Sequence, residues 1–284
     1  MTIIDDLSRL THVTPNEKAL VSYILANTQD VLNYSPKELA DEDFVSIATV
    51  YRLLKKIDQP GFNEFKVALA QSLSTERVEL TDVNIDYPIK ELETTDSMIN
   101  AMEKLYQKTL LETKKVCNAS SLKEAVDLVM QAKQVDVYTS AGNLYFAQNL
   151  QFQLQEIGYV IQVPQEDYLQ RLYAANSTSD HVALVISYGG RGHTTRAVVD
   201  LLVKNQTPII LVTSTQSNPL TTFADIKLYM SSVENHYNKL SSFSTRFSLL
   251  MVLDLLYAEI FSREYDKNLE YKVTNYQKMN GELK

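Results

Sequence analysis

Cysteine is almost missing from this chain: Cys117 is the single one in 284 residues. That excludes a disulfide framework and a cysteine-based zinc site, and it suits a reducing compartment. Basic residues are in the minority, 27 Lys and Arg against 35 Asp and Glu, a net charge of -8 with a pI near 5.1. A chain this acidic cannot coat nucleic acid non-specifically, so any such contact must come from a local basic patch. No apolar run approaches the ~18 residues of a membrane span, and the opening MTIIDDLSRL carries acids where a secretory leader is basic. A soluble, cytoplasmic protein is expected. The four histidines are few and scattered, Gly142 alone makes no dinucleotide fingerprint, and no Walker A spacing occurs. Neither a metal nor a cofactor is expected.

Glycine is also scarce, with seven in the chain, and Gly142, Gly158, Gly189, Gly190 and Gly192 share one stretch. What is present has ordinary globular proportions, 45% hydrophobic and 22% charged, enough for roughly two domains. Residues 1–77 read as short, well-capped helices. Thr14-Pro15-Asn16-Glu17 and Ser35-Pro36-Lys37-Glu38 each combine an N-cap hydroxyl, a first-turn proline and a reciprocal glutamate. Asp41 to Val45 forms a tight connection to Ser46, the N-cap of a helix running to about Ile57. A last helix follows Pro60-Gly61 with Phe62, Phe65, Leu69 and Leu73 on its apolar face. Residues 78–95 lack helical period and read as a linker, and a connecting helix begins near Asp96, with Ile99, Met102, Tyr106 and Leu110 as its stripe. Ser121-Leu122-Lys123-Glu124 reads as the start of a further helix ending near Ala132. Five β-branched runs follow, at 135–139, 159–163, 182–187, 208–213 and 226–230, separated by helical patterns at 144–157, 165–175, 194–204 and around 219–223. That alternation predicts a parallel sheet with helices on both faces. A helix over about 241–262 carries Phe243, Phe247, Leu250 and Leu253, more apolar face than one sheet covers, and a C-terminal tail takes up 263–284.

The helix from Ser46 has two predicted faces. Val50, Leu53 or Leu54, and Ile57 point inward, leaving Ser46, Ile47, Thr49, Tyr51, Arg52, Lys55 and Lys56 outside. Over residues 1–77 there are eight Lys and Arg against eleven Asp and Glu, so the favourable charge is concentrated on this one helix. Two helices across a short turn, the second opening S-I-A-T-V-Y-R, form a helix-turn-helix pattern. Together with LTHVTPNEKALVSYILAN and the closing G-F-x-x-F-K, it resembles the RpiR family of bacterial transcriptional regulators. The resemblance implies that the exposed residues of this helix contact double-stranded operator DNA. It also places a glycine in the turn where this chain has Phe44, so a differently shaped turn is expected.

The second half, through VDVYTSAGNLYFAQNLQFQLQEIG and VALVISYGGRGHTTRAVVDLL to the ILVTS strand, resembles the sugar isomerase (SIS) fold, a flavodoxin-like three-layer module that binds phosphosugars. Coverage runs over about 107–262. Ligands of such sheets sit beyond the strand ends, which here read T-S-A-G-N, S-Y-G-G-R-G-H-T-T and T-S-T-Q-S-N. Hydroxyls and backbone amides that open into helices cradle phosphate, and Arg191 adds a bidentate cation. The expected ligand residues are Ser140, Asn143, Ser187, Gly189, Arg191, Thr194, Thr213 and Glu234. The loops depart from the family's G-x-G-x-S, having Thr139, Ala141 and Asn143 there, and from S-x-S-G, with Gly189 in place of the second hydroxyl. Glu234, His236 and His193 are types that sugar isomerisation uses, yet such residues more often orient ligand, and no catalysis is expected. The leading expectation is a dimeric or higher-order regulator of carbohydrate metabolism that senses a sugar phosphate. The alternatives are a regulator whose decayed SIS domain serves only as a dimer scaffold, and a phosphosugar isomerase.

Overall fold

The computed structural model describes residues 3–81 and 83–281, the side chains of Asp5 and residues 73–81 excepted. The chain divides into two compact units, one up to Val83 and the other from Asn84.

The first unit is helical: α1 (Ile3–Ser8), α2 (Pro15–Ala26), α3 (Thr28–Val31), α4 (Pro36–Glu42), α5 (Ile47–Lys56) and α6 (Phe62–Thr81). Both expected capping boxes form, Thr14 with Glu17 and Ser35 with Glu38, and Ser46 caps α5 by accepting from the Thr49 amide. Such caps satisfy the orphan amides of a helix start and are worth about 1 kcal/mol each. The core joins Leu20, Ile24, Leu39, Leu53, Leu54 and Phe65, so Leu53 and Leu54 both point inward. The Leu73 side chain lies outside the described residues. The expected linker over 78–95 is shorter than the sequence indicated, because α6 continues through Thr81.

The second unit contains α7 (Thr95–Val116), α8 (Ala119–Gln131), β1 (Gln134–Tyr138), α9 (Asn143–Glu156), β2 (Ile161–Gln162), α10 (Asp167–Asn176) and β3 (His181–Ile186). It continues with α11 (His193–Lys204), β4 (Ile209–Ser214), β5 (Ile226–Met230), α12 (Phe243–Arg263) and α13 (Tyr265–Met279). The five strands are parallel in the order β2-β1-β3-β4-β5. Strand residues alternate between two cores. Val137, Leu184, Ile186 and Val212 pack beneath α8, α9 and α12, while Ala183, Val185 and Leu211 pack with Ala174, Val198 and Leu202 of α10 and α11. A three-layer α/β fold with a flavodoxin-like sheet results.

Several local expectations are corrected. Asn118, not Ser121, caps α8, accepting from the Ser121 amide. Residues 219–223 form turns rather than a helix. On α7 the buried face is Leu105, Thr109 and Thr113, whereas Ile99, Leu110 and Leu111 are exposed. The Thr109 and Ser244 hydroxyls lie 2.9 Å apart and those of Thr113 and Ser248 2.8 Å apart, all buried, joining α7 to α12. The C-terminal segment holds α13, which packs beside the end of α9: Gly158, at φ 83°, has no room for a Cβ under the Tyr271 ring, and Lys272 pairs with Glu156 at 2.7 Å.

Candidate functional sites

In the helical unit, α5 presents Ser46, Ile47, Tyr51, Arg52 and Lys55 to solvent. Two expected members of that face are placed otherwise. Thr49 is buried, and its hydroxyl lies 2.9 Å from that of Ser46 while accepting from the Arg52 guanidinium at 3.1 Å. Thr49 thus orients Arg52 instead of reaching outward. Lys56 donates to the Glu17 carboxylate at 2.7 Å and to the His12 carbonyl at 2.8 Å, tying α5 to the start of α2. The Lys56 ammonium, with the Thr14 amide, holds the Glu17 carboxyl down to about 2 from 4.5. A carboxylate depressed in the folded state contributes stability that is complete above its unfolded value and lost as pH falls through the folded one. Lys56→Met is therefore expected to cost the helical unit about 1–2 kcal/mol at pH 7, the half-exposed ammonium being partly screened. Urea unfolding should show parent and variant converging between pH 4.5 and about 2. A gap that persists undiminished at pH 2 would assign Lys56 a packing role only.

The turn before α5 keeps the left-handed conformation: Phe44 has φ 52°, with its amide donating to the Asp41 carbonyl and that of Val45 to the Ala40 carbonyl. The expected change in turn shape does not occur.

In the second unit a cavity of about 460 Å³ opens at the carboxyl ends of β1 and β3, where strand order reverses and ligands of such sheets lodge. Ser140, Asn143, Ser187, Gly189 and Arg191 line it as expected. Ser187 accepts from the Gly190 amide at 3.2 Å. Gly190, at φ 64°, packs against Asn218 where any Cβ would overlap the side-chain amide. Asn218 in turn donates to the Thr213 hydroxyl at 2.8 Å and accepts from the Leu220 amide at 2.8 Å.

Three expected ligand residues do not line the cavity. Thr194 donates to Asp167, and its neighbour Thr195 faces the cavity instead. Thr213 is buried and donates to the Tyr188 carbonyl at 3.0 Å. Glu234 is buried beneath the cavity wall as a cap for α12, accepting from the amides of Ser244 and Thr245 at 3.3 and 3.0 Å, from the Thr245 hydroxyl and from Lys239.

Sequence reasoning missed the wall opposite the loops: Lys239, Ser242, Thr245 and Arg246, from the segment after β5 and the first turn of α12. Their one sequence signal is two cations, Lys239 and Arg246, nine and sixteen residues after the last strand. His236 stacks on Tyr188 with ring centroids 5.6 Å apart, and burial, then Lys239 and Arg191, hold its imidazole below the usual range. Burial and the charges of Glu234 and Asp86 push the Tyr188 phenol up to about 12. The cavity is thus lined by hydroxyls, backbone amides and three cations, with no carboxylate among its described lining residues.

Comparison with known proteins agrees with both units. Residues 3–76 match the helix-turn-helix domain of the rpiR family, and residues 128–259 match the SIS domain. An uncharacterized HTH-type transcriptional regulator of Clostridium perfringens is 25% identical over 92% of each chain. One from Caldanaerobacter subterraneus is 26% identical over 95% of this chain and 93% of its own. Among solved structures, Vibrio vulnificus NanR complexed with ManNAc-6P matches over 99% of both chains with a TM-score of 0.60 and 19% identity. The sugar isomerase domain of an RpiR transcription factor from Sphaerobacter thermophilus matches 62% of this chain and 96% of its own, with a TM-score of 0.55 and 20% identity. No helix among the described residues is long and apolar enough to cross a membrane. The chain belongs to the RpiR family of transcriptional regulators, a helix-turn-helix domain followed by an SIS domain.

Proposed function

We propose that this regulator binds operator DNA through α5 and that a sugar phosphate in the cavity at the ends of β1 and β3 controls that binding. The cavity lining carries the reading. Its volume of about 460 Å³ falls within the range of small-molecule sites. Ser140, Asn143, Ser187 and Thr195 offer hydroxyl and amide groups, and Arg191, Lys239 and Arg246 face the same space, Lys239 being paired with Glu234 behind the wall. Such a lining suits an anion with several hydroxyls. On α5, Arg52 and Lys55 are placed for phosphate or guanine, with Ser46 and Tyr51 beside them.

Catalysis is not part of the proposal. Glu234, the carboxylate that would serve as base, is engaged by the first turn of α12 and by Lys239. Regulation of carbohydrate metabolism from the cytoplasm follows from a sugar phosphate effector. Two modest half-site contacts add where one fails, which argues for a dimer. The exposed Tyr265, Leu269, Val273 and Tyr276 of α13, with Ile99, Leu110 and Leu111 of α7, leave apolar surface for it.

The test is thermal unfolding of the full chain against a panel of sugar phosphates and the same sugars unphosphorylated. One phosphorylated member at 100 times its Kd should stabilise by about 2.7 kcal/mol and shift affinity for a selected operator duplex. Arg191→Ala, at an exposed position, should keep operator binding and lose the response. Light scattering on the same samples should give at least twice the chain mass. A panel without a single responder would sink the effector reading.

A further inference from the structure

Phe44 is left without a role by everything above. Its ring is 96% exposed, so it contributes nothing to the core. Its backbone is held at φ 52° by the hydrogen bonds that fix the turn between α4 and α5. Glycine adopts that conformation freely, while a bulky side chain is strained there. An exposed ring at a strained position does not serve the fold, and strain of this kind concentrates at functional sites. The ring precedes the N-cap of α5 by two residues. Ile47 and Tyr51, 43% and 48% exposed, continue an apolar strip along the outer face of that helix beside Arg52 and Lys55.

We propose that Phe44, with Ile47 and Tyr51, reads thymine methyl groups in the major groove, and that Phe44 gives the operator its preference for thymine. This rests on α5 being the recognition helix. The thymine C5-methyl is the apolar feature among the groove's donors and acceptors, and phenylalanine is among the side chains suited to it. The neighbouring Arg52 and Lys55, through phosphate or guanine, hold the strip in the groove. A protein partner fits less well, since a stable interface buries about 800 Å² a side and three side chains flanked by cations fall well short of that.

The experiment uses the full chain and a duplex selected from a random library by the parent protein. Phe44→Gly and Phe44→Asn, two residues that tolerate this backbone, should each lose about tenfold or more in affinity for that duplex. Their unfolding midpoints should equal or exceed the parent's. Replacing thymidine by deoxyuridine in the selected site removes only the methyl groups. It should weaken the parent by a similar factor and leave both variants indifferent. Variants that bind as tightly as the parent and still discriminate deoxyuridine would overturn the proposal while leaving α5 as the recognition helix. Lower unfolding midpoints in both variants would overturn it by assigning the ring to the fold, and conversion of the oligomer to monomers would assign it to a protein contact. A parent that selects no duplex would overturn both this inference and the reading of α5.

Discussion

Glu234→Ala should destabilise the C-terminal unit by about 3–5 kcal/mol, the range for breaking a buried ion pair from one side. The carboxylate is 1% exposed and satisfies the amides of Ser244 and Thr245 at the start of α12. Without it those amides are orphaned, and Lys239, only 12% exposed at its side chain, loses its partner at 3.3 Å. Glu234→Gln keeps an acceptor for the helix start but not the charge, and should lose about half as much. Urea unfolding of the full chain measures both. The sequence placed Glu234 among the ligand contacts. If Glu234→Ala left unfolding unchanged and abolished only the ligand shift, that assignment would stand and the structural role would fall.

Gly190→Ala is expected to cost about 2–4 kcal/mol and to remove the ligand response. Two effects combine: a φ of 64° that side chains rarely adopt, and a Cβ overlapping the Asn218 amide. Asn218 cannot step aside cheaply, because it links the Thr213 hydroxyl and the Ser187 carbonyl to the Leu220 amide. Moving it breaks the contact between the ends of β3 and β4 that sets the cavity floor. Asn218→Ala in the same background should restore space without restoring stability. Wild-type stability in Gly190→Ala would show that the loop has slack absent from this geometry.

Local chemistry explains which parts of the fold were legible in the sequence. The caps at Thr14, Ser35 and Ser46 each depend on residues three apart, so the chain declares them by itself. The strands were visible because a parallel sheet covered on both faces demands continuous apolar runs. Asn118 was passed over because Ser121 and Glu124 offered a rival box three residues on, and propensity cannot rank two acceptable caps. Substitution of glycine was a poor guide to backbone shape. Phe44 and Ala141 both stand where the family has glycine, and both keep positive φ, 52° and 53°, because neighbouring hydrogen bonds dictate the turn.

The cavity was legible by half. Its strand-end loops follow strands directly and announce themselves by composition. Thr194 and Thr195 are adjacent on one helix, about 100° apart around it, and nothing local decides which faces the sheet end. Lys56 could not be read as paired, since Glu17 lies 39 residues earlier. The opposite wall, Lys239 through Arg246, forms only when α12 is laid across the sheet, a tertiary event without a local motif.

The hydroxyl pairs between α7 and α12 act as a mechanical spline. Thr109 faces Ser244 and Thr113 faces Ser248, both steps being four residues, so the two helices are keyed in register. Thr109 and Thr113 also donate to the Leu105 and Thr109 carbonyls of their own helix, so sliding by part of a turn would cost the Ser244 and Ser248 hydroxyls these partners, at about 1–3 kcal/mol each. A full turn, about 5.4 Å, would re-pair only Thr109 with Ser248. Axial load is therefore carried rigidly from one helix to the other. A displacement of α7 along its axis is expected to reach α12 at Ser244, the neighbour of Thr245 in the turn that walls the cavity.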